Sequence, residues 1–319
     1  MVPAPVGDPP GAAQPLIVIC GPTAVGKTAA AVALAQRLDG EIVAADSRTI
    51  YRFMDIGTAK PLPEQRAAVP HHLLDIADPD EVVTLATYRA LAAQAIAGIR
   101  GRGRLPLLVG GTGLYIRAVI EGFTIPPVPP DPDLRRTLEE AERREPGVLH
   151  TRLAAVDPAA ASRVHPRNVR RLIRALEVYE RTGRPISTLQ RREQPAGPTL
   201  QAGLTMSREA LYRAIDARVD AQLAAGLVGE VRGLLARGYG AERPSMQGLG
   251  YKEIVAHLEG RASLEEAAGT LKRNTRRFAK RQYTWFRADP RIRWIDVDGL
   301  DADAVARAIT AVLSSGRSA

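Results

Sequence analysis

The segment ICGPTAVGKT, Ile19 to Thr28, constrains the fold more than any other, because it sets Gly21, Gly26, Lys27 and Thr28 in the spacing G-x-x-x-x-G-K-[ST]. The run PLIVIC (Pro15 to Cys20) before it is short and apolar, as a buried strand is. The run KTAAAVALAQRLDG after it has helical periodicity and a stop at Gly40. Strand, glycine-rich loop and helix in this order aim backbone N–H groups and a helix N-terminus at one point. Lys27 adds a charge there, and the Thr28 hydroxyl can hold Mg²⁺. Gly21, Pro22, Thr23, Ala24, Val25, Gly26, Lys27 and Thr28 thus form a candidate cradle for a di- or triphosphate.

The rest of the chain repeats the alternation. EIVAAD predicts a second buried strand delivering Asp46 at its C-terminal end, and LPLLVGGTG a third from Leu105 to Val109, with a crossover helix over Thr84 to Arg100 before it. PTLQAGLTM and RIRWIDV read as later strands, with helices resuming at Ser207. Such alternation predicts an α/β fold with a parallel, doubly wound sheet, whose ligands sit at the carboxyl ends of the strands. The Pro-rich FTIPPVPPDPD (Phe123 to Asp133) marks a border, and the Arg/Glu/Ala/Leu-rich chain beyond it, to about Gln194, carries no strand signal. The expected organisation is a disordered leader over 1–15, a core over 16–122 and 196–319 that ends in basic helices, and a helical insertion domain over 123–195.

Charge narrows the partner. Among 319 residues, 44 Lys and Arg stand against 35 Asp and Glu, for a net charge of +9. Much of the excess is concentrated in LKRNTRRFAKRQYTWFR, where Lys272, Arg276 and Lys280 form one i, i+4 row and Arg273, Arg277 and Arg281 another. So dense a cationic face repels itself unless phosphates neutralise it, which favours a nucleic-acid backbone over plain solvent. Leu271, Phe278, Tyr283, Trp285 and Phe286 are left for a core or a base. Trp285 and Trp294 are assigned to the core, while Tyr51 and Tyr115 stay open between core and stacking. No run of 18 or more residues is apolar throughout, so no membrane span is expected. The Pro/Gly/Ala-rich start lacks the marks of a signal peptide, and the single Cys20 closes an apolar strand as a buried, inert thiol. Cytoplasm is the expected location.

A nucleotide hydrolase of this class carries a second apolar strand ending in a metal-binding Asp. LLVGG ends in glycines instead, which leaves Asp46 as the strand-end carboxylate near the loop. Asp46 fits a metal partner in a small-molecule kinase, a general base toward an acceptor beside a diphosphate, or a turn-capping residue. The neighbouring pair His71-His72 is no zinc site, because adjacent strand residues face opposite ways.

GPTAVGKT, DSRTIYRFMDIGTAK, PHHLLDI, LPLLVGGTGLY, RALEV and AKRQYTWFR occur in this order in the tRNA dimethylallyltransferases, and the chain resembles that family from about Leu16 to Trp294. The resemblance implies a P-loop kinase-like core with a helical insertion domain, a monomer, and a Mg²⁺-assisted reaction. In that reaction the loop holds dimethylallyl diphosphate, and the prenyl group passes to the 6-amino group of the adenosine just 3′ of the anticodon. It implies Asp46 as general base, Thr23 and Arg218 (in Ile215-Asp216-Ala217-Arg218) as diphosphate partners, and Thr28 as the metal ligand. Without the resemblance, Arg218 reads as an ordinary salt-bridging helix residue. Contacts to tRNA map to Asp46, Ser47, Arg48 and Thr49, to Thr112, to Arg135, to Arg170, Arg171, Leu172, Ile173 and Arg174, and to Gln247, Gly248, Leu249, Gly250, Tyr251 and Lys252. Thr49, Arg167-Asn168 and the QGLGYK surroundings depart from the commoner pattern and bear on the grip of the anticodon loop. Outside this reading stand a kinase using Asp46 toward a hydroxyl, a prenyltransferase acting on free adenine nucleotides, and a non-catalytic RNA-binding module.

Overall fold

The structure is a computed structural model describing residues 14–122, 126, 128–190 and 197–314. The expected leader, apart from residues 14 and 15, lies outside the described residues, as do residues 123–125 of the Pro-rich border. The elements run β1 (Leu16–Cys20), α1 (Lys27–Leu38), β2 (Gly40–Ala44), α2 (Pro63–Ala68), β3 (His71–His72), α3 (Leu85–Gly101), β4 (Leu105–Gly110) and α4 (Gly113–Ile120). They continue with α5 (Pro132–Arg144), α6 (Val148–Val156), α7 (Pro158–Ala161), α8 (Val169–Thr182) and α9 (Ile186–Leu189). β5 (Thr199–Thr205), α10 (Arg208–Ala224), α11 (Leu227–Ala236), α12 (Tyr251–Leu258), α13 (Leu264–Arg287), β6 (Arg293–Asp296) and α14 (Ala302–Ser314) complete the chain.

The six strands form one sheet in the order β3-β2-β4-β1-β5-β6, and every pairing is parallel. β1 is flanked on both sides, Ile17 pairing with Leu107 and with Leu200, so its five residues are all buried and none is polar. Because the strands run one way, the turns after β1, β2 and β4 emerge at the same edge, and there the site forms. One position differs from the sequence expectation: β2 ends at Ala44, so Asp46 stands two residues into the turn. The two-residue β3 at His71–His72 adds an edge strand.

The described residues divide into two compact units, one drawn from 14–83, 89–120 and 197–314, the other from 84–88, 121–122, 126 and 128–190. In the first, one core lies between the sheet and α1, α10 and α14, around Ile19, Leu34, Leu107, Leu204 and Ile309. A second core joins α11 and α12 to the segment after β2, around Ile50, Met54, Leu227, Met246 and Ile254. The second unit is helical around Leu149, Leu153, Leu172 and Leu176. At its centre Glu177 is fully buried yet receives Nε and Nη2 of Arg135 at 2.8 and 2.9 Å, Nη1 of Arg174 at 2.6 Å and the Asp131 N–H at 2.8 Å. Burial alone would raise its pKa, but these donors prevail and hold it at about 2.

Candidate active site

The phosphate loop is shaped by two glycines. Gly21, at φ +142°, lies so near β5 that a Cβ would stand 2.6 Å from the Leu204 carbonyl oxygen, and Gly26, at φ +90°, caps α1. α1 has no side-chain cap, which leaves its N-terminus open to a ligand. Lys27 Nζ donates to the Pro22 carbonyl at 2.6 Å and folds back over the loop. The Thr28 hydroxyl lines the pocket and has no protein hydrogen-bond partner among the described residues.

Around this loop lies a cavity that opens to solvent. Thr23, Lys27, Thr28, Asp46 and Arg218 give its lining polar and charged groups, and Ile42, Ala44, Leu74, Val109 and Phe278 give it apolar ones. Asp46 Oδ1 accepts the Arg48 N–H at 2.8 Å, a turn that fixes the carboxylate, while Oδ2 accepts no hydrogen bond among the described residues. Thr112 supports the turn: its Oγ1 accepts the Ser47 N–H at 3.0 Å, and its N–H donates to Ala45 at 3.1 Å. The glycines of GGTG serve this approach, since a Cβ on Gly110 would fall 2.0 Å from the Ala45 oxygen.

Arg218 is no salt-bridging helix residue. On α10 its neighbours Asp216 and Asp220 pair instead with Arg276 and Lys272 of α13, whereas Arg218 turns into the cavity and makes only a 3.5 Å contact to the Thr58 carbonyl. Burial lowers its pKa, and nearby Asp46 opposes the shift. Burial likewise brings Lys27 down to about 8; Asp46 resists this and Arg218 adds to it. Two cations thus share a desolvated space with neither in an ion pair with a carboxylate among the described residues, an arrangement that an anionic ligand relieves.

Two supports were not legible in the sequence. Gln282, 6 % exposed on α13, accepts the Thr23 N–H at 2.8 Å through Oε1 and donates through Nε2 to Gly111 at 2.9 Å, tying α13 to the phosphate loop. Glu230 receives the N–H groups of Asp55, Ile56 and Gly57 and the Tyr251 hydroxyl, and Gln222 donates to the carbonyls of Ile56 and Gly57. These bonds fix the loop that presents Thr58 and Ala59 to the cavity. A glutamine amid cations, or a glutamate on an unremarkable helix, carries no distinguishing signal in one sequence.

Other expectations need correction. The row of Lys272, Arg276 and Lys280 is not uniformly cationic toward solvent, because acids of α10 neutralise its first two members; Arg273, Arg277, Lys280 and Arg281 are exposed without an ion-pair partner among the described residues. Leu172 and Ile173 are buried in the helical unit, and Tyr251 is buried with its hydroxyl on Glu230. Gly248, Gly250 and Thr49 are buried as well, and Arg135 and Arg174 are engaged by Glu177, whereas Arg170, Arg171, Gln247 and Lys252 are exposed and Leu249 half-buried. Trp285 is 38 % exposed and not a core residue; Trp294 is half-buried against Tyr283, and Tyr51 and Tyr115 are buried. Cys20 is buried, its thiol pushed up to about 12 by desolvation. His71 bonds the Val69 carbonyl while His72 pairs with Glu41, so the two rings part. No helix among the described residues is long and apolar enough to cross a membrane.

Comparison with known proteins gives a uniform result. The family model for IPP transferase matches residues 49–289, and that for isopentenyl transferase matches residues 14–75. The tRNA dimethylallyltransferase of Roseiflexus sp. (strain RS-1) is 54 % identical over 296 residues, 92 % of this chain and 97 % of that one. Its counterpart from Symbiobacterium thermophilum is 55 % identical over 291 residues, 90 % of this chain and 91 % of that one. Among solved structures, the full-length tRNA isopentenylpyrophosphate transferase of Bacillus halodurans has a TM-score of 0.69 at 44 % identity, covering 95 % of this chain and 98 % of that one. A eukaryotic dimethylallyltransferase acting on tRNA has a TM-score of 0.79 at 29 % identity, covering 95 % and 80 %.

Proposed function

The chain belongs to the IPP transferase family, and we propose that the cavity bounded by Lys27, Arg218 and Asp46 is where it carries out that family's reaction. The chain transfers a dimethylallyl group from dimethylallyl diphosphate to the exocyclic 6-amino group of the adenosine 3′-adjacent to the anticodon in tRNA, giving isopentenyladenosine and diphosphate. The observation that supports this siting best is that one pocket combines a phosphate cradle, two cations without carboxylate partners, and a carboxylate with a free oxygen.

The diphosphate fits the loop N–H groups and the α1 N-terminus, with Lys27, Arg218 and the Thr23 hydroxyl around it, and the apolar lining residues Ile42, Val109 and Phe278 suit the prenyl chain. An adenine amino group is a weak nucleophile, because its lone pair is delocalised into the ring. As the C–N bond forms and the C–O bond to diphosphate breaks, the electron pair leaves with the diphosphate, and Asp46 Oδ2 takes the amino proton. Lys27 and Arg218 meet the charge that develops on the leaving oxygens. The unpartnered Thr28 hydroxyl suits Mg²⁺, which binds through few protein groups plus phosphate oxygens and would supply further charge neutralisation there. No cluster of three or more His, Cys, Asp or Glu side chains among the described residues offers a metal an all-protein cage, consistent with a metal carried largely by the substrate.

The turn Asp46–Thr49 with Thr112, exposed Gln247 and Lys252, and exposed Arg170 and Arg171 at the start of α8 supply the RNA contacts, and the reading places the chain in the cytoplasm as a monomer. Arg218→Ala tests the siting: kcat/KM for dimethylallyl diphosphate should fall by about two to three orders of magnitude while the Kd for tRNA stays. A defect confined to tRNA affinity would remove Arg218 from the diphosphate.

A further inference from the structure

The indole of Trp285 is left out of the account above, and its setting is unusual for so large a side chain. α13 buries a stripe of Leu271, Thr275, Ala279, Gln282 and Phe286. Trp285 stands three residues after Gln282, beside it on the helix surface, yet turned out so that 38 % of it is exposed. Its ring lies against Gly113, where a Cβ would come within 2.1 Å of indole Cδ1 and Nε1, so only glycine lets the ring rest on the first turn of α4. Gly113 follows Thr112, whose hydroxyl accepts the Ser47 N–H at 3.0 Å, and Ser47 follows Asp46. The indole is therefore linked to the turn of the reacting carboxylate through a short run of contacts within one compact unit.

The surroundings indicate what covers it. Leu114, next to Gly113 on the first turn of α4, is 48 % exposed. Arg281, one turn before Trp285, and Arg287, just after it, are exposed, and Arg277, Lys280 and Arg281 lack ion-pair partners among the described residues. A flat aromatic face set among unneutralised cations matches a nucleotide, whose base stacks while its phosphates meet the charge. An adenine drawn out of its strand also leaves a neighbouring base unstacked, and an exposed protein ring can replace the lost partner.

We propose that Trp285 is a stacking platform for an anticodon-loop base beside the modified adenosine, making it a positioning residue for the RNA; this rests on the tRNA reading given above. α13 then has two roles, with Gln282 holding the phosphate loop and Trp285 holding the strand.

The chain has two tryptophans, so Trp294→Phe leaves Trp285 as the sole reporter. Adding an unmodified anticodon stem-loop RNA to that variant should quench and shift its emission, and inorganic diphosphate alone should not. Trp285→Ala should raise KM for the stem-loop about ten- to a hundredfold and leave the diphosphate Kd unchanged, which also shows that the variant is folded, and Trp285→Phe should recover most of the loss. Stem-loop binding and modification with Trp285 emission unmoved and KM unchanged in Trp285→Ala would overturn the stacking role alone. Failure of the wild-type protein to bind or modify the stem-loop would overturn the tRNA reading, and the stacking role with it.

Discussion

Gln282 offers a sharp test of how the site is held. Its amide is oriented by two unlike partners, the Thr23 N–H at 2.8 Å from Oε1 and the Gly111 carbonyl at 2.9 Å from Nε2, in a position 6 % exposed. Alanine orphans one part-buried donor and one buried acceptor. At about 1–2 kcal/mol each, the expected loss of stability is about 2–4 kcal/mol. Glutamate keeps the shape and the bond to Thr23 but sets an oxygen against the Gly111 carbonyl and a negative charge beside the phosphate loop. Gln282→Glu should therefore bind inorganic diphosphate more weakly than Gln282→Ala, even though it is the smaller change in volume. Its deficit should shrink as pH falls and the carboxyl gains a proton it can donate to Gly111. Denaturant unfolding reads the first quantity and titration calorimetry the second. A Gln282→Ala variant within about 0.5 kcal/mol of wild type, as for a surface substitution, with normal diphosphate binding, would refute the bridge.

Three further outcomes follow from the same geometry. Asp46→Asn keeps an oxygen for the Arg48 N–H but cannot take a proton, so single-turnover transfer should slow by about two to four orders of magnitude with tRNA Kd unchanged; near-normal turnover would remove Asp46 as base. Lys27, at about 8 in the free protein, loses its proton as pH rises through that value, and a bound diphosphate restores it. Diphosphate binding near pH 8 should then take up more protons in wild type than in Lys27→Arg, measured by calorimetry in buffers of different ionisation enthalpy, and affinity should fall above that pH in wild type only. Glu177, held at about 2, stabilises the helical unit fully above its ordinary carboxyl range and loses that contribution as pH falls toward 2. Melting temperature should therefore drop more steeply over that acid range in wild type than in Glu177→Gln, which should itself be less stable at neutral pH by about 2–3 kcal/mol, the partial exposure of Arg135 and Arg174 moderating the loss.

The parallel sheet and the phosphate loop were legible because their signals are local: an apolar run, two glycines at fixed spacing and a helical period lie side by side in the chain. What escaped depends on neighbours distant in sequence. The cationic rows of α13 look alike as text, yet Asp216 and Asp220 of α10 neutralise Arg276 and Lys272 and leave Arg273 and Arg277 bare. The same pairing frees Arg218 for the cavity, which no pattern within α10 announces. Trp285 was misassigned because hydrophobicity argues for burial and says nothing of Gly113, whose missing side chain gives the ring a seat at the surface.

The most direct measurement is transfer of labelled dimethylallyl from its diphosphate to unmodified tRNA, with ATP present as a competing ligand and free AMP as a competing acceptor, followed by mapping of the labelled nucleotide. Label on the adenosine next to the anticodon, lost in Asp46→Asn and Arg218→Ala, is the expected result. Undiminished label in both variants, or phosphoryl transfer from ATP with no label in tRNA, would contradict the account.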